Sequence, residues 1–247
     1  MQTIRFVVRS LPEVSREEWD QLYLDSTSRN VYFSFAYVKS IVETLPKKFH
    51  PDRIIMGYCN DRLVIIQPIK LWQHSWNTTI EFFKPFMGDH IEPLYLEEDK
   101  TAHLNALIDF ILKELQPDAI YGRALSDQFT GFLEQHDALH VRKTESYTVP
   151  YLTLPDTVDA YWERYKHKFR HELRRRIKMA EKEGIMLRVV EPHRLPEGYS
   201  MKSALDNLKR LHQLRWGEKG FSTFDFSEPD IQHFHARYCE QKHCVMY

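Results

Sequence analysis

The chain has 247 residues, with 34 Lys and Arg against 35 Asp and Glu and a formal charge of −1. Apolar residues make up 43% of it and include five Trp, which is ample for a packed core and excludes a disordered chain. The near-neutral balance argues against a dedicated nucleic-acid binder, three Cys are too few for a disulfide framework, and no run reaches the ~20 apolar residues of a membrane span, so a reducing cytoplasmic setting is expected.

The apolar patch in MQTIRFVVRSLPE is too short for a signal peptide and reads instead as a strand over Thr3–Val8. Ser15 followed by Glu18 predicts a capping box for a helix through Leu24. The aromatic turn Asn30–Phe35 leads to Ser34, which can cap a helix over Phe35–Leu45 that Pro46 stops. Arg53–Cys59 and Arg62–Trp72, joined at Asn60-Asp61, predict a β-hairpin, with Thr78–Phe83 as a third strand. Met87-Gly88-Asp89-His90 is a loop, and its Asp-His pair could sit at a pocket. Thr101–Leu115 carries Leu104, Leu107, Ile108, Ile111, Leu112 and Leu115 at helical spacing. Ala119–Ala124 is a strand, Asp127–Gln135 a short helix, and His140–Lys143 and Tyr147–Leu154 further strands.

The pattern restarts at Pro155. A helix over 158–183 contains Tyr161–Gly184, which holds nine Lys and Arg against four Glu, a net +5 on a chain that totals −1. Trp162, Tyr165, Phe169, Leu173, Ile177 and Ala180 make one apolar stripe, and Gly184 stands where a helix ends. An amphipathic basic helix of this kind is expected to dock its stripe and present its cations. Strand Ile185–Val190, the link Pro192–Pro196, a helix over Tyr199–Trp216, a loop, a helix over Pro229–Lys242 and the start of a strand at Cys244–Tyr247 follow. The reading is α+β, in two units over 1–150 and 151–247, the second with too few strands to cover its helices.

Three clusters could carry chemistry. Arg170, Arg174 and Arg175 fall at i, i+4 and i+5, and Arg suits bidentate contact with phosphate or carboxylate; the alternative is a solvated face paired to Glu172 or Glu181. His233, His235, Cys239, His243 and Cys244 are zinc ligand types, but they lack paired short-gap spacing, so no metal is expected. Arg215 and Trp216 end a helix, where Trp216 can pack and Arg215 can cap carbonyls or hold an anion. Nothing matches a nucleophile elbow, a P-loop, a dinucleotide fingerprint or a zinc-protease motif, and no catalytic base is assigned.

The order of three segments resembles a known family. Phe33-Ser34-Phe35-Ala36-Tyr37 stands where the family opens its first unit with F-x-S/T-x-x-W, with Tyr37 in place of Trp. An Arg-rich helix ends at Gly184-Ile185 before a strand. Leu211, Arg215, Trp216, Gly220, Ser222 and Phe226 match an L-x-x-x-R-W helix followed by G-x-S and F. On these residues the chain resembles GNAT-like acyltransferases of the CelD/BcsL type, which are similar to the FemA/FemB aminoacyltransferases. The resemblance implies tandem GNAT-like units, the second incomplete and continuing past Tyr247 or completed by another polypeptide. It also implies transfer from acyl-CoA, as co-substrate rather than bound cofactor, to an amine or hydroxyl of a small or cell-envelope- or polysaccharide-related acceptor. Arg170, Arg174, Arg175, Arg215 and Trp216 would hold the anionic substrate or donor. In GNAT units the pyrophosphate lies against a strand–loop–helix element carrying Q/R-x-x-G-x-G/A, and no such stretch occurs here. A tRNA-dependent transferase and a non-catalytic anion-binding module are the alternatives; nucleic acid other than tRNA is not expected.

Overall fold

A computed structural model describes residues 3–145, 152–186, 195, 197–216 and 228–241. Its centre is a mixed sheet of β1 (Arg5–Arg9), β2 (Arg53–Cys59), β3 (Arg62–Gln73), β4 (Thr78–Phe82), β5 (Leu94–Tyr95) and β6 (Ala119–Tyr121), in the order β1-β2-β3-β4-β6 with β5 beside β3. The predicted hairpin forms, and Asn60 and Asp61 both take positive φ (49° and 61°), as a tight turn matched to strand twist requires. β2 and the first part of β3 are nearly continuous apolar runs because the sheet is covered on both faces. Phe110 stacks on Phe6 at 4.8 Å, next to Gly57, while Glu18 on the other side meets the Tyr58 hydroxyl at 3.3 Å. Gly57 leaves room that a Cβ would fill at 2.6 Å from Ile65 and 2.7 Å from Phe6. Gly57→Ala is therefore expected to lower stability by about 1–3 kcal/mol in urea unfolding, the usual cost of overpacking.

α1 (Arg16–Asp25) is capped by Ser15, which accepts from Glu18 N at 3.2 Å. The reciprocal half of the expected capping box is not made there, because the Glu18 carboxylate goes to Tyr58; Ser10 and Glu13 form the reciprocal pair instead. α2 (Phe35–Thr44) starts at Ser34, which accepts from Tyr37 N at 3.3 Å. α3 (Lys100–Phe110) is shorter than predicted, since Ile111–Leu115 winds into a π turn. It carries the chain from β4 to β6, which lie parallel in an otherwise antiparallel sheet. β6 also stops early: Ala124 turns to positive φ (54°), and pairing resumes at a single bridge between Ile91 and Leu125. β3 changes partner along its length, from β5 at Ile65 and Ile66 to β4 at Ile69 onward. Pro68, without an N–H to place, sits at the change.

α4 (Asp127–Glu134) follows, and His140–Lys143 is irregular rather than a strand; Lys143 turns back to pair with Glu134 at 2.9 Å. The basic stretch is two helices, α5 (Val158–Glu163) and α6 (His167–Lys182), broken where Lys166 is extended (φ −58°, ψ 146°). The break lies among aromatic residues of modest helix propensity, and the Tyr161 and Tyr165 hydroxyls meet across it at 2.7 Å. At the other end Gly184 (φ 72°) closes α6: its N–H donates to Glu181 O at 3.0 Å and that of Ile185 to Ala180 O at 2.9 Å. Ile185 and Met186 are not in a strand. The rest of Ile185–Val190, the link Pro192–Pro196 apart from Leu195, residues 146–151, the loop carrying Gly220, Ser222 and Phe226, and Cys244–Tyr247 lie outside the described residues. α7 (Met201–Trp216) and α8 (Pro229–Glu240) complete the helices described.

α8 packs into the same core as the sheet and α2. Phe234 is 1% exposed and meets Tyr37 edge-on at 5.1 Å and Phe86 at 5.7 Å; Tyr238 meets Tyr37 at 4.9 Å. Tyr37 donates its hydroxyl to Phe86 O at 2.7 Å. Burial pushes the Tyr37 hydroxyl pKa well above its ordinary value.

Candidate functional site

The arginines singled out from sequence do not form one cluster. Glu172 takes Arg175 in a two-point contact (2.9 and 2.8 Å) and Arg176 at 2.9 Å. The hydrogen bonds from Arg175 and Arg176 hold the Glu172 carboxyl down at about 2. Arg175 is thus spoken for within its own helix. Arg170 and Arg174 carry no ion pair among the described residues, and Arg170 Nε is shielded from water without a hydrogen-bond partner there. An unmet donor of this kind costs free energy that an anion would recover. Arg215 lies over its neighbour Trp216 at 5.0 Å, and no hydrogen bond, ion pair or ring contact among the described residues joins either to α6. The stripe of α6 is not docked: none of its residues is buried, and Phe169 and Ile177 are about half exposed (50% and 46%).

The His/Cys cluster divides differently from its spacing. Cys239 is buried and His235 is mostly so, with its pKa lowered by burial; His243 and Cys244 lie outside the described residues. No group of three metal-ligating side chains occurs among the described residues.

The groove that the structure does form was not picked out from sequence, apart from the Asp89-His90 pair at its rim. It runs between Thr27–Val31 and the segment His90–Lys100, reaching Gln128. Asn30 fixes the first wall, accepting from Tyr32 N at 3.0 Å and donating to Asp89 O at 2.8 Å. Ser28 donates to Pro93 O at 3.0 Å, and Thr27 donates to the Glu97 carboxylate. Glu92 follows Ile91, which the bridge to Leu125 holds, and accepts from Ser126 Oγ at 3.0 Å. Burial raises its carboxyl pKa, with Ser126 opposing. Tyr95 is raised by burial as well, and the Lys100 ammonium stands 4.9 Å from its ring. The signal for Glu92 in the sequence is a single carboxylate inside the apolar run Ile91–Leu96.

Glu92 and Glu97 can accept from an ammonium or a hydroxyl donor, and a carboxyl of raised proton affinity can take a proton from one, while Arg29, His90 and Lys100 line the same groove. At the start of α3 the wall disfavours phosphate. Glu97, Glu98 and Asp99 precede the first turn of α3, where the helix dipole already favours carboxylates.

Because the folded-state pKa of Glu92 is raised, its protonated form stabilises the fold at low pH. That contribution is lost as pH rises through the raised value. Glu92→Gln should therefore be more stable than the parent at pH 7, and the gap should close below the ordinary carboxyl pKa; melting curves at the two pH values check this.

No helix among the described residues is long and apolar enough to cross a membrane. No family model matches the chain, and no curated protein matches it. Among solved structures it is similar to a ribosomal-protein-alanine N-acetyltransferase from Brucella melitensis biovar Abortus (11% identity, TM-score 0.36, 60% of this chain and 99% of that one). A possible acetyltransferase from Clostridium difficile is similar at 9% identity and TM-score 0.37, covering 62% of this chain and 99% of the other. A GNAT family acetyltransferase from Staphylococcus aureus stands at 10% and 0.35, covering 61% and 100%.

Proposed function

We propose that the chain belongs to a GNAT-like acyltransferase that passes an acyl group from acyl-CoA to an amine. The observation that carries this reading is the β4–β5–α3–β6 connection, which leaves β4 and β6 parallel in a sheet otherwise antiparallel and brings a strand and a loop to the start of a helix. The family resemblance puts such an element at the heart of each unit. In this unit the loop ends in three carboxylates, so the groove beside it takes the amine acceptor and the donor phosphates go elsewhere. Arg170 and Arg174 on α6 supply the unpaired cations for them. The amine nitrogen attacks the thioester carbonyl carbon, Glu92 takes the proton the amine loses, the C–S bond breaks to release a thiolate, and the proton passes from Glu92 to that thiolate, directly or through water, to give the thiol. A reducing cytoplasmic setting suits such a thiol.

Thermal shift with acetyl-CoA, free CoA, a nucleotide sugar and tRNA tests the ligand class. Stabilisation by acetyl-CoA and CoA supports the reading. That no residue of α6 is fully buried favours a second one, a basic helix held out for an anionic polymer. Stabilisation by tRNA alone, fading steeply with salt, would replace the first reading with the second. Arg174→Ala should weaken CoA binding about tenfold, since a charge-assisted contact is worth about 1.5–3 kcal/mol. Arg175→Ala, already held by Glu172, should weaken it less; calorimetric titration of both variants checks the order.

A further inference from the structure

α5 and α6 leave an apolar row in water. The rings of Tyr161, Tyr165 and Phe169 follow one another at 5.3 and 4.8 Å across the break at Lys166. Leu173, Ile177 and Ala180 carry the row on at steps of three and four residues, so it keeps to one side of α6. No residue of α6 is buried, Phe169 and Ile177 are about half exposed, and Val158 at the start of α5 is 71% exposed. The remainder of α6 is cationic: seven Lys and Arg against two Glu between His167 and Lys182 give a net +5. By helical spacing Arg176 borders the row on one side and Arg170 on the other. Glu172 takes Arg175 and Arg176, while Lys168, Lys178 and Lys182 make no ion pair among the described residues.

A contiguous apolar row in water marks a binding surface, and the charge around it says for what. A polyanion such as tRNA would satisfy the cations and leave Phe169 and Ile177 in water. An anionic lipid surface satisfies both. The row enters the boundary between headgroups and acyl chains, and the long Lys and Arg side chains reach the lipid phosphates from the polar side. The Tyr161 and Tyr165 hydroxyls sit at the wet end of apolar rings, the chemistry that favours the headgroup level. With 16 residues α6 is about 24 Å long, and its charged face keeps it in the plane of the surface instead of across it. We infer that this row docks α6 flat on an anionic bilayer surface. Arg170 and Arg174, given above to the donor phosphates, are not members of the row, so changes within the row leave the acyl-transfer reading untouched.

The test is co-sedimentation of the full chain with vesicles of phosphatidylcholine alone and of phosphatidylcholine and phosphatidylglycerol in equal parts. The chain should sediment with the mixed vesicles, stay in solution with the neutral ones, and bind less as salt rises. A Phe169→Ser/Ile177→Ser double variant should partition at least tenfold more weakly, with the urea midpoint and the acetyl-CoA affinity of the parent. Lys178→Gln/Lys182→Gln should weaken partitioning severalfold. Phe169→Trp, which keeps an interfacial ring at a half-exposed position, should bind at least as tightly as the parent. No binding to the mixed vesicles, equal binding to the neutral ones, or binding that the Phe169/Ile177 variant retains would overturn the inference. So would tRNA binding at the same salt without vesicle binding, because the cations would then serve a nucleic acid. Self-association of the parent that the Phe169/Ile177 variant abolishes, again without vesicle binding, would overturn it by giving the row to a second copy.

Discussion

Phe234→Ala is expected to lower the unfolding free energy by about 3–5 kcal/mol and to release α8 from α2. The ring is 1% exposed and wedged among Tyr37, Phe86 and Tyr238, so its removal leaves a cavity that three large rings cannot close together. The polar contacts of α8 cannot hold it alone. Arg237 pairs with Glu43 at 2.6 Å, but both side chains are a third or more exposed (41% and 33%), and such pairs contribute about 0–1 kcal/mol. Gln241 adds one hydrogen bond to Ser40 Oγ at 3.2 Å. Urea unfolding monitored by near-ultraviolet dichroism reads the loss, and proteolysis between α7 and α8 should accelerate with it. A change below 1 kcal/mol would mean that α8 does not depend on this aromatic contact.

Trp19→Ala should cost about as much, about 3–5 kcal/mol, for two reasons acting together. The indole is fully buried and meets Phe35 edge-on at 5.6 Å. Its Nε1 also donates to Phe33 O at 2.9 Å, inside the turn that feeds α2, so alanine leaves that carbonyl unpaired. Trp19→Phe keeps a ring against Phe35 but loses the hydrogen bond and part of the volume, and should cost about 1–3 kcal/mol. Equal losses in the two variants would show that the hydrogen bond, not the packing, fixes this corner.

Local rules made several element ends legible. Ser34 caps α2, Asn60-Asp61 closes the hairpin, and Gly184 ends α6, each because a single side chain or φ value decides the outcome. What tertiary contact decides was not legible. Glu18 satisfies a capping-box pattern but is drawn to Tyr58. Nothing in the stretch Ala119–Ala124 announces that Ala124 will turn to positive φ and end β6 early. The basic helix had a clean apolar stripe, which predicts a docked face, yet no described residue of it is buried. Its arginines had helical spacing for convergence, but Glu172, one turn away, captures Arg175 and leaves Arg170 and Arg174. The groove is hard to read from sequence because its walls come from segments far apart in the chain, joined by contacts such as Asn30 to Asp89, 59 residues apart, and Thr27 to Glu97, 70 residues apart. The Asp89-His90 pair at the rim and Glu92, a carboxylate among apolar neighbours, are its traces in the sequence.

The most direct test of the acyl-transfer reading is a calorimetric titration of acetyl-CoA into the parent chain, an Arg170→Ala/Arg174→Ala double variant and Glu97→Gln. Acetyl-CoA should bind the parent, bind the double variant at least tenfold more weakly, and bind Glu97→Gln as it binds the parent, because the proposed reading puts the phosphates on α6 and not at the start of α3. No heat of binding with the parent, or an affinity that the loss of both arginines leaves unchanged, would contradict it.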